Sequence, residues 1–371
     1  MIKWLSLVAT VAACGTQDPA AITADTGMND GSIKARQGTI STDAPTNMDV
    51  VALPERDGSI GSADAMRLDR AVPNDSGPLA FTIEALQVAG THNSYHVAPT
   101  IAFDASHKYT QLPLDQQLAG GVRALELDLH LGSTGAFEIY HISIIDPNTT
   151  CSTLDDCLHV IATWSDAHAN HTPIFVWFEL KDDTGGQPIT DLAPVETAIL
   201  KVFHREQLIT AGWLRGSYAS PRERIVMAGW PTLAESRGRI MFSIINRDAR
   251  TQAYCHDFTS LDDRIMFVNA APDQFSLPWA SITKVDISQV DVVADAHASH
   301  LLVATNVCAI NLSDTECQNR LTSAVTTGIH MLHDDLPFPI SGRTYSLKLP
   351  GGSPGCNPVT APPNCTPSLL E

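Results

Sequence analysis

The stretch Ala89-Gly90-Thr91-His92-Asn93-Ser94-Tyr95-His96 follows a mostly apolar run, Phe81 to Val88, and breaks it with a polar, glycine-led turn. A buried run supplies a scaffold, Gly90 lets the backbone turn, and His92 and Asn93 then present groups that can move a proton and bind a hard cation. Two further strand-like segments end in ionisable residues, Val122-Arg123-Ala124-Leu125-Glu126-Leu127-Asp128 and Phe175-Val176-Trp177-Phe178-Glu179-Leu180-Lys181. Period-two alternation places Leu125, Leu127 and Leu129 on one face and Glu126 with Asp128 on the other; Glu179 and Lys181 share a face in the same way. Unpaired buried carboxylates are costly, so this pattern asks for basic partners or a cation. An internal salt-bridge network with Arg123 and Lys181 is the commoner outcome for any one such residue, but parity puts Arg123 on the leucine face. Glu126, Asp128, Glu179 and Asn93 together form an oxygen-only donor set suited to Ca²⁺ or Mg²⁺, where zinc would recruit histidine or thiolate. His141 closes Ala136-Phe137-Glu138-Ile139-Tyr140 thirteen residues after Asp128, a strand-turn-strand interval that returns it beside the carboxylates. Two histidines flanking a hard cation make an acid–base pair suited to displacement at phosphorus.

Positioning such residues requires strands that deliver them to one rim. Apolar, β-rich segments recur at 81–89, 122–129, 137–142, 173–180, 224–229, 239–245, 264–269, 301–305 and 327–332. The pattern predicts an α/β fold, a distorted (β/α)₈ barrel, in which polar residues at the C-terminal ends of strands carry the chemistry. Eight strands suffice, so one of the nine candidates is surplus, expected near 264 or 301. A capping-box pattern at Ser152-Thr153-Leu154-Asp155 starts a helix with Leu154, Leu158 and Ile161 at helical spacing, and a second helix is predicted over 194–207. Between about 210 and 330 few helices are expected.

The chain of 371 residues carries 41 acidic and 23 basic side chains, a formal net charge of -18 that argues against nucleic-acid partners and against unaided attraction to an anionic membrane. Its first residues, a basic start, a short apolar run and Val11-Ala12-Ala13-Cys14, resemble a bacterial lipoprotein signal over 1–13 with a lipidated Cys14. Residues 14–78 lack apolar periodicity and read as a disordered linker, leaving 79–371 as one domain, expected to be monomeric. The expected location is the bacterial cell envelope, lipid-anchored at the outer membrane or surface, or secreted. Among the eight cysteines, Cys151 with Cys157, Cys308 with Cys317 and Cys356 with Cys365 are close enough to pair as disulfides, with Cys255 left over.

Gly90 to Tyr95, Gly121 to Asp128 and the later His141 resemble the X-region signature of calcium-dependent phosphoinositide-specific phospholipases C. Trp164-Ser165-Asp166-Ala167-His168 with His171-Thr172-Pro173-Ile174 and Glu179-Leu180-Lys181, and Cys356-Asn357-Pro358 with Cys365, resemble the secreted bacterial and fungal branch. The resemblance implies a barrel of the PLC-like phosphodiesterase type. It makes His92 and His141 catalytic and Asn93, Glu126, Asp128 and Glu179 the Ca²⁺ ligands, with Lys181 and Arg123 as basic residues near the substrate. It further implies attack of an inositol 2-hydroxyl on phosphorus, Glu126 or Glu179 as base, and His141 as acid for the departing diacylglycerol, giving a cyclic inositol phosphate. A glycerophosphodiester phosphodiesterase would share barrel and metal but would begin its motif His-Arg-Gly. A catalytically inactive lipid-headgroup-binding lipoprotein would not need both histidines.

Overall fold

The computed structural model describes residues 81–182 and 187–371; the signal, the Cys14 anchor and the linker assigned to 1–78 lie outside them. In chain order the elements are β1 (Leu86–Thr91), α1 (Leu114–Ala119), β2 (Ala124–Leu131), β3 (Phe137–Ile139), α2 (Leu154–Ala167), β4 (Ile174–Leu180), α3 (Ala193–Val202) and α4 (Ala211–Arg215). Next come α5 (Pro221–Ala228), α6 (Leu233–Ser236), β5 (Ile240–Ile244), α7 (Ala249–Tyr254), β6 (Phe267–Val268), β7 (Ile282–Lys284) and α8 (Val290–Ala298). The chain closes with β8 (Leu302–Asn306), α9 (Asp314–Thr326), β9 (Met331–Asp334) and β10 (Gly355–Cys356).

Eight of these strands run parallel in the order β6-β5-β4-β2-β1-β9-β8-β7, and a parallel bridge between Asn269 and Ile282 joins the two ends into a barrel. The fold is the α/β barrel expected from the strand pattern. Two short strands lie outside the ring: β3 pairs antiparallel with the C-terminal half of β2, and β10 pairs antiparallel with the start of β1. Leu125, Leu127 and Leu129 of β2 are fully buried in the same apolar cluster as Leu158 and Ile161 of α2, so the leucine face meets the helical layer and the acidic face is left for the lumen.

Two of the nine candidates are surplus to the ring: 137–142 is the outlying β3, and 224–229 is α5. Ser220 caps it by accepting from the Glu223 amide at 3.0 Å, Pro221 occupies its first turn and Gly229 ends it with φ 74. Those terminal signals override the β-branched Ile225-Val226 pair, and Val226 is left half exposed. The segments near 264 and 301 are true strands. A missed strand, β7, has only Ile282-Thr283-Lys284, too short to register as an apolar run. Contrary to expectation, six helices occur between 210 and 330; the helix-poor connections are 269–281, with one 3₁₀ turn at Pro272–Gln274, and the link carrying the six-residue α1. The α2 capping box sits one residue later than predicted, between Thr153 and Asp156.

The three expected disulfides are present and Cys255 is a buried free thiol. Cys356 pairs with Leu86, so one disulfide staples the C-terminal segment to the start of β1.

Candidate active site

Gly90 is not at a turn. It lies within β1, where a Cβ would stand 2.9 Å from that of Ala124 on β2 and 3.2 Å from the Leu332 carbonyl on β9, so the position requires glycine for close strand approach. The chain turns two residues after the strand ends, at Asn93, whose φ of 42 is left-handed and which tolerates that conformation better than most residues. Ser94 locks the turn onto β2: its amide donates to the Glu126 carbonyl at 2.9 Å and its Oγ accepts from the Glu126 amide at 2.8 Å.

His92 leaves the C-terminal end of β1 with Nδ1 2.7 Å from Asp335 Oδ1, and Asp335 is held in turn by the Ile310 amide on Oδ2 at 2.7 Å. The other ring nitrogen, Nε2, faces Glu126 Oε1 at 3.9 Å. Burial works against a charge on this ring, but Asp335 and then Glu126 outweigh it and lift its pKa to about 9. His92 is therefore an imidazolium at neutral pH, with Asp335 as orienter and Nε2–H left to donate.

Glu126, Asp128 and Glu179 converge, each offering an oxygen within 4.8 Å of the others. Lys284 reaches Glu126 Oε2 at 2.5 Å from β7, on the opposite side of the ring, so this pair spans the lumen. Burial raises the proton affinity of Glu126, yet Lys284, His92 and His333 bring its pKa down to about 2. Lys181 lies 3.1 Å from Asp128 Oδ2 and 2.9 Å from Glu179 Oε1. Burial and the adjacent Asp128 push Glu179 up, against the pull of Lys181. The salt-bridge network expected as the commoner outcome is thus half realised, with Lys284 in the place foreseen for Arg123.

Lysines do not satisfy all of the donors. Asn93 Oδ1 and Asp128 Oδ1 are buried and accept no hydrogen bond among the described residues, and Asp128 Oδ2 has only Lys181 beside it. Two ligands of one Ca²⁺ lie at most about 5 Å apart, twice a bond of 2.3–2.6 Å, and the three carboxylates meet that limit. Orphaned hard oxygens around a compact anionic cluster fit a calcium ion.

His141 follows β3, which pairs Ile139 with Leu129 at the C-terminal part of β2. Its Nδ1 is 2.8 Å from Asp146 Oδ2, and the same carboxylate is 2.8 Å from His96 Nε2. His96 belongs to the Asn93 turn, its amide donating to the Asn93 carbonyl at 2.9 Å. Asp146 therefore ties the His141 loop to the loop bearing His92 and Asn93.

Arg123, expected near the substrate, lies elsewhere. It precedes β2, at the opposite rim, where its guanidinium pairs with Glu371, donates to the Leu118 and Val122 carbonyls at 2.7 Å and stacks over Trp164 at 4.8 Å. Parity had already set it off the acidic face; its position before the strand makes it a clamp for the C-terminal residue. Thr172 Oγ1 donates to Glu371 at 2.6 Å, and Ser165 lies 2.7 Å from His171 Nε2, so the Trp164 to Ile174 motif is packing at this lower rim.

Asp335, Lys284, Asp146 and His96 escaped the sequence reading as site residues. Asp335 could have been found, since it follows a recognised strand and obeys the same strand-end rule as Asp128. Lys284 sits on the unrecognised β7 and carried no such signal.

A family model described as phosphoinositide phospholipase C, Ca²⁺-dependent, matches residues 131–358, more than half of the chain. That span contains His141, Glu179, Lys181, Lys284 and Asp335, while Glu126 and Asp128 precede it on β2, and His92 and Asn93 in the turn that follows β1. Among solved structures, the Ca²⁺-dependent phosphatidylinositol-specific phospholipase C of Streptomyces antibioticus superposes with a TM-score of 0.54 at 20% identity, covering 69% of this chain and 95% of that one. The calcium-dependent phosphoinositol-specific phospholipase C of a Pseudomonas species gives 0.51 at 15% identity, covering 69% and 91%. These likenesses are of fold. A search of curated protein sequences returned no match. The family match, together with a barrel whose rim gathers a His–Asp pair and an oxygen-donor cluster, establishes that this chain belongs to the calcium-dependent phosphoinositide phospholipase C family of phosphodiesterases.

Proposed function

We propose that the protein cleaves phosphatidylinositol-type lipids to diacylglycerol and a cyclic inositol phosphate. The observation that carries this reading is the convergence of Glu126, Asp128 and Glu179 beside His92, which is held by Asp335 and faces Glu126, with Asn93 Oδ1 buried in the turn next to it. Asn93, Glu126, Asp128 and Glu179 would hold Ca²⁺, which when bound lowers the pKa of the inositol 2-hydroxyl and offsets charge on the phosphate.

The chain's own groups account for the proton movements. His92, charged and oriented through Nδ1, donates from Nε2 to a phosphoryl oxygen and stabilises charge that grows there during attack. A glutamate of the cluster accepts the 2-hydroxyl proton. Glu126 is almost wholly buried beneath Lys284, whereas the Glu179 side chain is about one-third exposed, so Glu179 is the one a substrate hydroxyl can reach. His141, anchored through Nδ1 on Asp146, gives a proton from Nε2 to the departing glycerol oxygen. Water opens the cyclic product by the reverse use of these groups. Lys181, beside Asp128 and Glu179, would meet a phosphate as well.

A headgroup-release assay on a panel of phospholipids, with and without chelator, tests the reading. Inositol phosphate released from phosphatidylinositol in Ca²⁺ alone is the expected result; preferential cleavage of glycerophosphodiesters would overturn it. We further propose that Cys14 is lipidated and holds a monomeric enzyme at the bacterial envelope, at the outer membrane or surface. Cys14→Ala should then shift the protein from the membrane to the soluble fraction with activity on dispersed substrate intact, and unchanged fractionation would refute the anchor.

A further inference from the structure

Beside the acidic cluster lies a second group of ligating side chains that the proposed mechanism uses only in part. His96 and Asp146 are fully buried, His107 is 5% exposed, and the His141 side chain is 17% exposed. All three histidines face one carboxylate: Asp146 Oδ2 is 2.8 Å from His96 Nε2, 2.8 Å from His141 Nδ1 and 3.9 Å from His107 Nδ1. Positioning His141 needs Asp146 alone. It does not explain why two more imidazoles are buried against the same group.

Proton bookkeeping sharpens the point. His96 Nδ1 is 2.9 Å from the Tyr109 carbonyl, an acceptor only, so the proton of a neutral His96 sits on Nδ1. Its Nε2 lone pair then points at both Asp146 oxygens, at 2.8 and 3.0 Å. Two acceptors at that distance need something positive between them, either a second proton or a metal ion. An imidazole that donates one N–H to a backbone carbonyl and aims its other nitrogen at a shared centre is the usual posture of a histidine ligand. His107 supplies the independent sign: its buried Nδ1 has no hydrogen-bond partner among the described residues.

We propose that His96, His107, His141 and Asp146 form a transition-metal site of the Zn²⁺ class, and that its occupation inhibits the enzyme by tying up His141. Three imidazole nitrogens and one carboxylate suit Zn²⁺, Co²⁺, Ni²⁺ or Cu²⁺ and not the hard Ca²⁺ of the neighbouring cluster. Bonds of about 2.0–2.1 Å set the edges of a tetrahedron near 3.3 Å; His96, His141 and Asp146 already offer ligand atoms within 4.8 Å of one another, and His107 Nδ1, 3.9 Å from Asp146 Oδ2, has to swing inward to complete the set. The ligands are pinned by their backbones: Asp146 and Ile142 exchange both amide bonds at 3.0 and 3.1 Å, the Gln111 amide holds the His96 carbonyl at 2.9 Å, and His107 ends a 3₁₀ turn capped by Asp104. A metal on His141 Nδ1 fixes the imidazole in one protonation state and removes it from proton transfer. The inhibitory half of the proposal rests on the role given to His141 above; the binding half does not.

The experiment uses the full chain saturated with Ca²⁺, so that the acidic cluster is filled, and titrates it with Co²⁺ and Zn²⁺. The strong visible absorption of four-coordinate Co²⁺ should appear at one equivalent and be displaced by Zn²⁺, with Zn²⁺ inhibition following the same curve. His107→Ala should keep basal activity yet weaken both the spectrum and the Zn²⁺ midpoint by about 10–100-fold or more, the range for disturbing a metal site's supporting residues. His107→Gln, similar in length and polar, serves if the alanine variant folds poorly by circular dichroism. Absence of the cobalt spectrum, or a spectrum and inhibition unchanged in the His107 variants, overturns the site. A full cobalt spectrum with undiminished turnover overturns the inhibitory role, and by the same token the assignment of His141 as acid.

Discussion

Replacing Asp335 by Asn removes the charge that orients and protonates His92 while keeping the shape of the side chain. Asp335 accepts from His92 Nδ1 on one oxygen and from the Ile310 amide on the other, both at 2.7 Å. Asparagine can accept at only one of these positions, because its amide nitrogen is a donor facing another donor. The variant therefore loses the charge and one of two hydrogen bonds. With Asp335 as the largest favourable influence on a ring whose pKa is lifted to about 9, its loss should return His92 to the ordinary value near 6.5 or below. If only the charged ring is active, the active fraction near pH 8 falls from about nine-tenths to about one-thirtieth, some 30-fold, while near pH 6 the loss is under about twofold. Bound Ca²⁺ lowers both values, so the difference between variants is the quantity to read. The assay is kcat/KM against pH on a soluble inositol phosphodiester at saturating Ca²⁺, with NMR titration of the His92 ring in chelator as the direct measurement. The sign for stability follows from the same shift. The His92–Asp335 pair stabilises the metal-free fold fully below about pH 6.5 and loses that contribution as pH rises through about 9, a span of ~3 kcal/mol at most. A defect of equal size from pH 6 to pH 8, with the ring's midpoint unmoved, would show that Asp335 merely holds the Ile310 loop.

Three further outcomes follow from the same geometry. Chelation should abolish turnover and Ca²⁺ should restore it better than Mg²⁺, whose strict octahedral shell suits this donor set poorly, and Asp128→Asn should recover part of its lost activity at high Ca²⁺; full activity in excess chelator would end the metal-assisted mechanism. His141→Ala should slow substrates with an alkoxide leaving group by ~10²–10⁴-fold and spare aryl inositol phosphodiesters, whereas His92→Ala should slow both; equal damage to both substrates by His141→Ala would reverse the assignment. Lys284→Met leaves Glu126 charged and buried without its partner across the lumen, so chelated protein should lose about 3–5 kcal/mol by denaturant unfolding, with Ca²⁺ returning part of it; an unchanged midpoint would show that Glu126 is solvated after all.

What could be read along the chain is what a few consecutive residues decide. Alternation within β2 put Glu126 and Asp128 on one face and the leucines on the other, because side chains of a strand alternate whatever its neighbours. Helix caps are local in the same sense; Ser220, Pro221 and Gly229 make 224–229 a helix, and weighing them against the β-branched pair would have prevented its reading as a strand. The order of His92, Asn93, Glu126, Asp128, His141 and Glu179 was legible as a family pattern. Which cations answer those carboxylates was not. Lys284 reaches Glu126 across 158 residues and Asp335 reaches His92 across 243, and both contacts exist only because ring closure sets the register of strands far apart in sequence. Arg123, next in line to the same acids, is carried to the other rim because it stands before β2 and its carbonyl neighbours and Glu371 hold it there. Likewise His96, His107 and Asp146 show no shared spacing, and it is the packing of two loops over one end of the barrel that turns them toward a single point.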